Sequence, residues 1–147
     1  MSEAEEIRPQ GVEKSESSEV TGVNRERRVD ARARVLVIED EHDLRGMIAQ
    51  WLEARGYEAV EAADGNDAIE LIQAGLEPDA IILDLAMPRV SGQAFLSWLR
   101  AEPRHMHRPV IVTSGEYDSL PTSDVQGVLA KPYRPDLLAQ ELQRVLE

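Results

Sequence analysis

Cysteine is absent from the 147 residues, which excludes a disulfide framework and any thiolate metal site and leaves the fold to rest on apolar burial. Long apolar runs are absent too. Nothing approaches the roughly 20 apolar residues of a membrane-spanning helix, and Met1 to Glu6 is acidic, without the apolar core of a leader. These two absences lead to the expectation of a cytoplasmic protein. Positive charge is the third shortage: the formal net charge of −12 divides into −3 over residues 1–31 and −9 over residues 32–147. An acidic body repels phosphate backbones and shows no basic stripe, so neither nucleic acid nor a membrane is expected as a partner.

What is present divides the chain in two. Residues 1–31 are rich in Glu, Ser, Arg and Gly, bury too little apolar surface to offset their ordering entropy, and are expected to be a disordered tail. Residues 32–147 have room for one domain. There, short aliphatic or β-branched runs alternate with stretches at helical spacing, the pattern of a parallel sheet flanked by helices. The runs predict strands at Val35–Ile38, Glu58–Glu61, Ala80–Leu83, Val110–Thr113 and Gly127–Ala130. All but the second are continuously apolar, which marks four as central and the second as an edge. Helical faces are Leu44, Ile48, Trp51 and Leu52; Ala68, Leu71 and Ile72; Phe95, Leu96 and Leu99; and Leu137, Leu138, Leu142 and Val145. Between the fourth and fifth strands, Gly115 to Gln126 carries Pro121 and little periodicity, so a full helix is not expected there.

In an open parallel sheet every strand delivers its last residue to one edge, where ligands bind. Here the first strand ends in Glu39 and Asp40, the third in Asp84, the fourth in Thr113 and Ser114, and the fifth in Lys131. Three carboxylates that converge repel one another and stay ionised only if a cation neutralises them. A hard divalent ion such as Mg2+, or Mn2+, fits an all-oxygen set completed by a phosphate oxygen. Residues 32–147 hold ten Arg and the single Lys131; a compact ammonium reaches a phosphoryl oxygen where a planar guanidinium would clash. A cis Lys131–Pro132 bond is compatible with the sequence. His105 and His107, flanking Met106, lack further ligands and are read as loop residues, while Trp51, Phe95 and Trp98 are read as packing. Ser91 and Gly92 are read as the start of the third helix.

Over residues 34–147 the chain resembles a response-regulator receiver domain. The resemblance rests on VLVIEDE (Val35–Glu41), AADG (Ala62–Gly65), IILDLAMPRVSG (Ile81–Gly92), VTSG (Val112–Gly115) and LAKPY (Leu129–Tyr133), in the family's order and at its separations. It implies a flavodoxin-like, doubly wound α/β fold: a five-stranded parallel sheet of order 2-1-3-4-5 with helices on both faces, the family's fourth helix being short or absent here. It further implies that Asp84 is the phosphoacceptor. Glu39, Asp40, Asp84 and the Ala86 backbone carbonyl would bind Mg2+, and Ser114 and Lys131 would contact the phosphoryl group. Thr113, Gly115, Val128 and Tyr133 fall in the region that would switch. The implied partners are a histidine kinase or histidine phosphotransfer protein and a downstream protein target, and the implied role is signalling, not classical enzymology. Three departures stand out: Glu39 where the family more often has Asp, a shortened stretch between Ser114 and Lys131, and Val128 where the family commonly has Tyr or Phe.

Other functions of such a sheet fit less well. A phosphatase with an aspartyl nucleophile wants a second Asp two residues on, where Ala86 stands. A nucleotide or flavin site wants a glycine-rich or hydroxyl-rich loop after the first strand, where Glu39, Asp40 and Glu41 would repel phosphate. A receiver that works without phosphorylation is disfavoured by the presence of Asp84, Ser114 and Lys131 together.

Overall fold

The computed structural model describes residues 32–85, 92–115 and 125–147. In chain order these form β1 (Arg34–Ile38), α1 (His42–Ala54), β2 (Glu58–Ala62), α2 (Gly65–Gln73), β3 (Ala80–Asp84), α3 (Gly92–Arg100), β4 (Val110–Ser114), β5 (Gly127–Ala130) and α4 (Pro135–Leu146). Every strand pair is parallel and the order is β2-β1-β3-β4-β5, the doubly wound topology implied by the resemblance.

The sheet is two-faced because side chains alternate along a strand. Leu36, Ile38, Ile81, Leu83, Val110 and Val112 pack with Ala68 and Ile72 of α2 and with Phe95 and Leu99 of α3. Their neighbours Val35, Val37, Ile82, Ile111 and Leu129 pack on the other face with Ile48 and Leu52 of α1 and with Leu138 and Leu142 of α4. Burial on both sides explains the unbroken apolar runs, and each fully buried Leu contributes about 2 kcal/mol.

Local chemistry sets the helix limits. Asp64 accepts from Asp67 N at 2.9 Å and Asp67 Oδ2 accepts from Ala63 N at 3.2 Å, a reciprocal cap that starts α2. Gly56 and Gly75, at φ 91° and 116°, follow α1 and α2, where a side chain would be strained. Pro135 opens α4.

Two readings need correction. β5 was expected to be central but pairs only with β4, at the edge opposite β2. Its burial alternates, with Gly127 buried and Val128 37% exposed; in a four-residue strand of Gly and aliphatics, composition does not register that alternation. Gly127 lies close under α4: a Cβ there would lie 2.7 Å from Glu141 Oε1, the movable end of that side chain. Leu137, counted with the buried face of α4, is exposed, because each helical residue is rotated by about 100° from the last, which turns residue 137 away from the face that buries residue 138. The tail over 1–31, the reduced helix over 116–124, Ser91 and Ala86 lie outside the described residues. Among the described residues no helix is long and apolar enough to cross a membrane.

Candidate functional site

The register of the sheet carries the acidic residues to one edge. β1 is followed by Glu39 and Asp40, and Glu39 N donates to the carbonyl of Ala62 at the end of β2. Asp84 closes β3 beside Thr113, and Leu85 N donates to Thr113 O at 3.0 Å. Lys131 N donates to Ser114 O at 2.8 Å, so the end of β4 sits between Asp84 and Lys131. The peptide bond between Lys131 and Pro132 is cis.

One carboxylate oxygen from each of Glu39, Asp40 and Asp84 lies within 4.8 Å of the others. Lys131 Nζ bridges two of them, 2.9 Å from Glu39 Oε1 and 3.3 Å from Asp84 Oδ2. Glu39 and Asp84 are buried while Asp40 is exposed, so the cluster opens to solvent on one side. Glu39 is further fixed by Glu41 N on its Oε2 at 3.2 Å, and its carbonyl accepts from Arg45 at 2.8 Å.

The electrostatics show an excess of negative charge. Burial pushes the Glu39 carboxyl above its ordinary value and the charge of Asp84 pushes it further, while the hydrogen bond and charge of Lys131 only partly offset them. Burial disfavours the Lys131 ammonium, yet the hydrogen bond it donates to Glu39 and the charge of Asp84 outweigh it and hold its pKa above the usual lysine range. Both groups bind protons more tightly than in water, as expected of three carboxylates facing one ammonium. The donor set is all carboxylate oxygen and under-compensated, which fits a hard divalent cation better than a soft metal. Glu39, Asp40 and Asp84 are the described residues that could hold it.

The other residues named from sequence lie at or near this edge. Thr113 and Ser114 are buried at the end of β4, Gly115 is exposed, and Val128 is exposed on β5. Tyr133 is half-buried, and its hydroxyl is buried without a hydrogen-bond partner. His105 is buried and accepts from Arg108 Nε at 3.3 Å, at the opposite edge of the sheet. Two contributors were not legible in the sequence. Arg45 reaches back from α1 to the Glu39 carbonyl and to Glu61 at 3.3 Å. Gly92 lets α3 approach the end of β3: a Cβ there would lie 2.5 Å from Asp84 O and 2.7 Å from Leu85 Cα.

A doubly wound sheet with an acidic, lysine-bridged pocket at its carboxyl edge defines a class of α/β module that gathers a cation and an anionic group. Residues 35–143 match the family model of the response regulator receiver domain, and the chain belongs to that family. It is similar to protein Rrf1 of Nitratidesulfovibrio vulgaris, 35% identical over 115 residues, covering 78% of this chain and 83% of Rrf1. It is also similar to Regulator of RpoS of Escherichia coli, 36% identical over 105 residues, but these are 68% of this chain and only 30% of that protein. Among solved structures, the chemotaxis response regulator CheY4 of Vibrio cholerae superimposes with a TM-score of 0.71 at 32% identity, covering 78% of this chain and 99% of CheY4. Receiver domains are signalling phosphoacceptors of two-component systems and bind Mg2+ at an acidic pocket.

Proposed function

We propose that residues 32–147 accept a phosphoryl group on Asp84 from a histidine kinase or histidine phosphotransfer protein, and that the modified domain binds a downstream protein. The observation that carries this reading is the triad of carboxylates within 4.8 Å bridged by Lys131. Asp84 is buried at a strand end, where its carboxylate is held for in-line attack. An Asp84 oxygen forms the new bond to phosphorus as the bond from phosphorus to the donor nitrogen or oxygen breaks, and the electron pair leaves with the donor. Lys131, already on Asp84, meets negative charge on the transferred oxygens, and Ser114 supplies a hydroxyl to one of them. Glu39, Asp40, Asp84 and the Ala86 carbonyl would hold Mg2+ or Mn2+, which supplies charge neutralisation. Added charge on Asp84 then redistributes the contacts of Lys131 and the end of β4, around Thr113, Gly115, Val128 and Tyr133.

Acetyl phosphate with Mg2+ is expected to add one phosphoryl group, read by intact-mass spectrometry. Asp84→Asn is expected to take up none, and EDTA to suppress uptake in wild type. Labelling of Asp84→Asn at the wild-type rate, or labelling indifferent to EDTA, overturns the assignment.

A further inference from the structure

Asp40 is the least secured of the clustered acids. Glu39 and Asp84 are buried and both meet Lys131, whereas Asp40 is exposed and no donor among the described residues holds its carboxylate. Its direction is therefore set by the backbone that carries it. Local capping does not fix that backbone, since Glu41, the residue before α1, makes no side-chain bond to the start of the helix.

Arg45 supplies the missing restraint. Its backbone N–H donates to Glu41 O at 2.9 Å, just after Asp40, and its Nη1 donates at 2.8 Å to Glu39 O, in the peptide that joins Glu39 to Asp40. One residue thus brackets Asp40 on both sides. The guanidinium is itself held: Nε lies 3.3 Å from Glu61 Oε1, and the Arg45 side chain is only 13% exposed. Glu61 in turn pairs with Val37 in the register of β2 on β1, so the clamp is anchored to the strand that delivers the acids. A rigid fork of donors spans a carbonyl and a carboxylate at once, which a single ammonium does less well.

We propose that Arg45 is a positioning residue for the divalent cation: its guanidinium fork clamps the peptide between Glu39 and Asp40 and so sets the Asp40 carboxylate beside those of Glu39 and Asp84. The inference rests on the metal-assisted phosphoacceptor reading above. Charge and position predict opposite signs here. A fixed cation repels a second one, so loss of Arg45 would tighten Mg2+ binding if it acted by charge. Acting by position, its loss loosens Mg2+, as loss of groups that orient metal ligands does.

The test is a titration of the full chain with Mg2+ alone, followed by the amide chemical shifts of Asp40 and Asp84. Arg45→Met is expected to weaken Mg2+ binding about tenfold, and Arg45→Lys, which keeps the charge and loses the fork, to recover little of it. Glu61→Gln leaves the carbonyl bond in place and is expected to weaken binding only about twofold. A second readout needs no metal. In EDTA, hydrogen exchange at the Glu41 amide, which donates to Glu39 Oε2 at 3.2 Å, should speed up in Arg45→Met by more than exchange at Val37 in β1. Tighter Mg2+ binding in Arg45→Met, unchanged affinity per folded molecule, full recovery by lysine, or equal acceleration at both amides overturns this proposal alone. A wild type whose shifts do not respond to Mg2+ overturns the metal assignment and this proposal with it.

Discussion

The two edges of the sheet both carry buried charge, and they handle it oppositely. At the amino edge Glu77 and Asp79 stand against Arg104 and Arg108. Glu77 pairs with Arg104 and lies 3.9 Å from Arg108, and Asp79 Oδ2 accepts from the backbone of Arg34 at 2.7 Å. Burial, followed by Arg108 and Arg104, lowers the pKa of His105, so it is a neutral acceptor for Arg108. At the carboxyl edge three carboxylates share Lys131. Charge is matched where the fold is being held and left unmatched at the acidic cluster, and an uncompensated cluster of this kind stores affinity for a cation at the cost of stability.

The largest expected difference comes from unbalancing the matched edge. Arg108→Met leaves Glu77 and Asp79 short of a cation in a site where Arg108 is 6% exposed, and is expected to cost about 3 kcal/mol in urea unfolding. Labelling of the folded fraction should be unchanged; a loss of labelling per folded molecule would mean that the two edges are coupled. Gly92→Ala comes next. Its methyl would sit 2.5 Å from Asp84 O, so the backbone must shift, with an expected cost of about 2 kcal/mol and slower labelling by acetyl phosphate.

Relieving the unmatched edge should have the opposite sign. In EDTA, Asp84→Asn is expected to raise stability by about 1 kcal/mol, since it removes one of the mutually repelling carboxylates beside Glu39. Mg2+ should raise the melting temperature of wild type and not of the variant. Destabilisation by Asp84→Asn in EDTA would show that Lys131 already balances the cluster. The smallest effect is on pH dependence. Because the folded-state pKa of Glu39 is raised above 4.5, its contribution is fully present below that value and lost as pH rises through the folded one. Glu39→Gln, which imitates the protonated form, should therefore exceed wild type in stability at pH 7 in EDTA. The gap should close as pH falls toward 4.5, measured by paired urea titrations.

The sequence made β1, β3 and β4 legible because burial on both faces leaves continuous apolar runs, and placed Glu39, Asp40, Asp84 and Lys131 together because parallel strands end on one edge. β5 misled as to its place, since GVLA reads as apolar whether Val128 is covered or exposed. Arg45 was unreadable for another reason: an arginine in the first turns of an amphipathic helix resembles any solvated charge, and only the packing of α1 turns it toward the Glu39 carbonyl. His105 is a loop histidine as read, but nothing in its neighbours announces its burial.

By itself the sequence determined the alternation of strands and helices and the identity of the strand-end residues, because periodicity and strand direction are local properties carried by the residues themselves. Tertiary structure decided how charge is shared. That Lys131 bridges Glu39 and Asp84, that Gly92 must lack a side chain, and that the Tyr133 hydroxyl is buried unpaired all depend on distances between segments far apart in the chain. Such distances are fixed only when both faces of the sheet are packed.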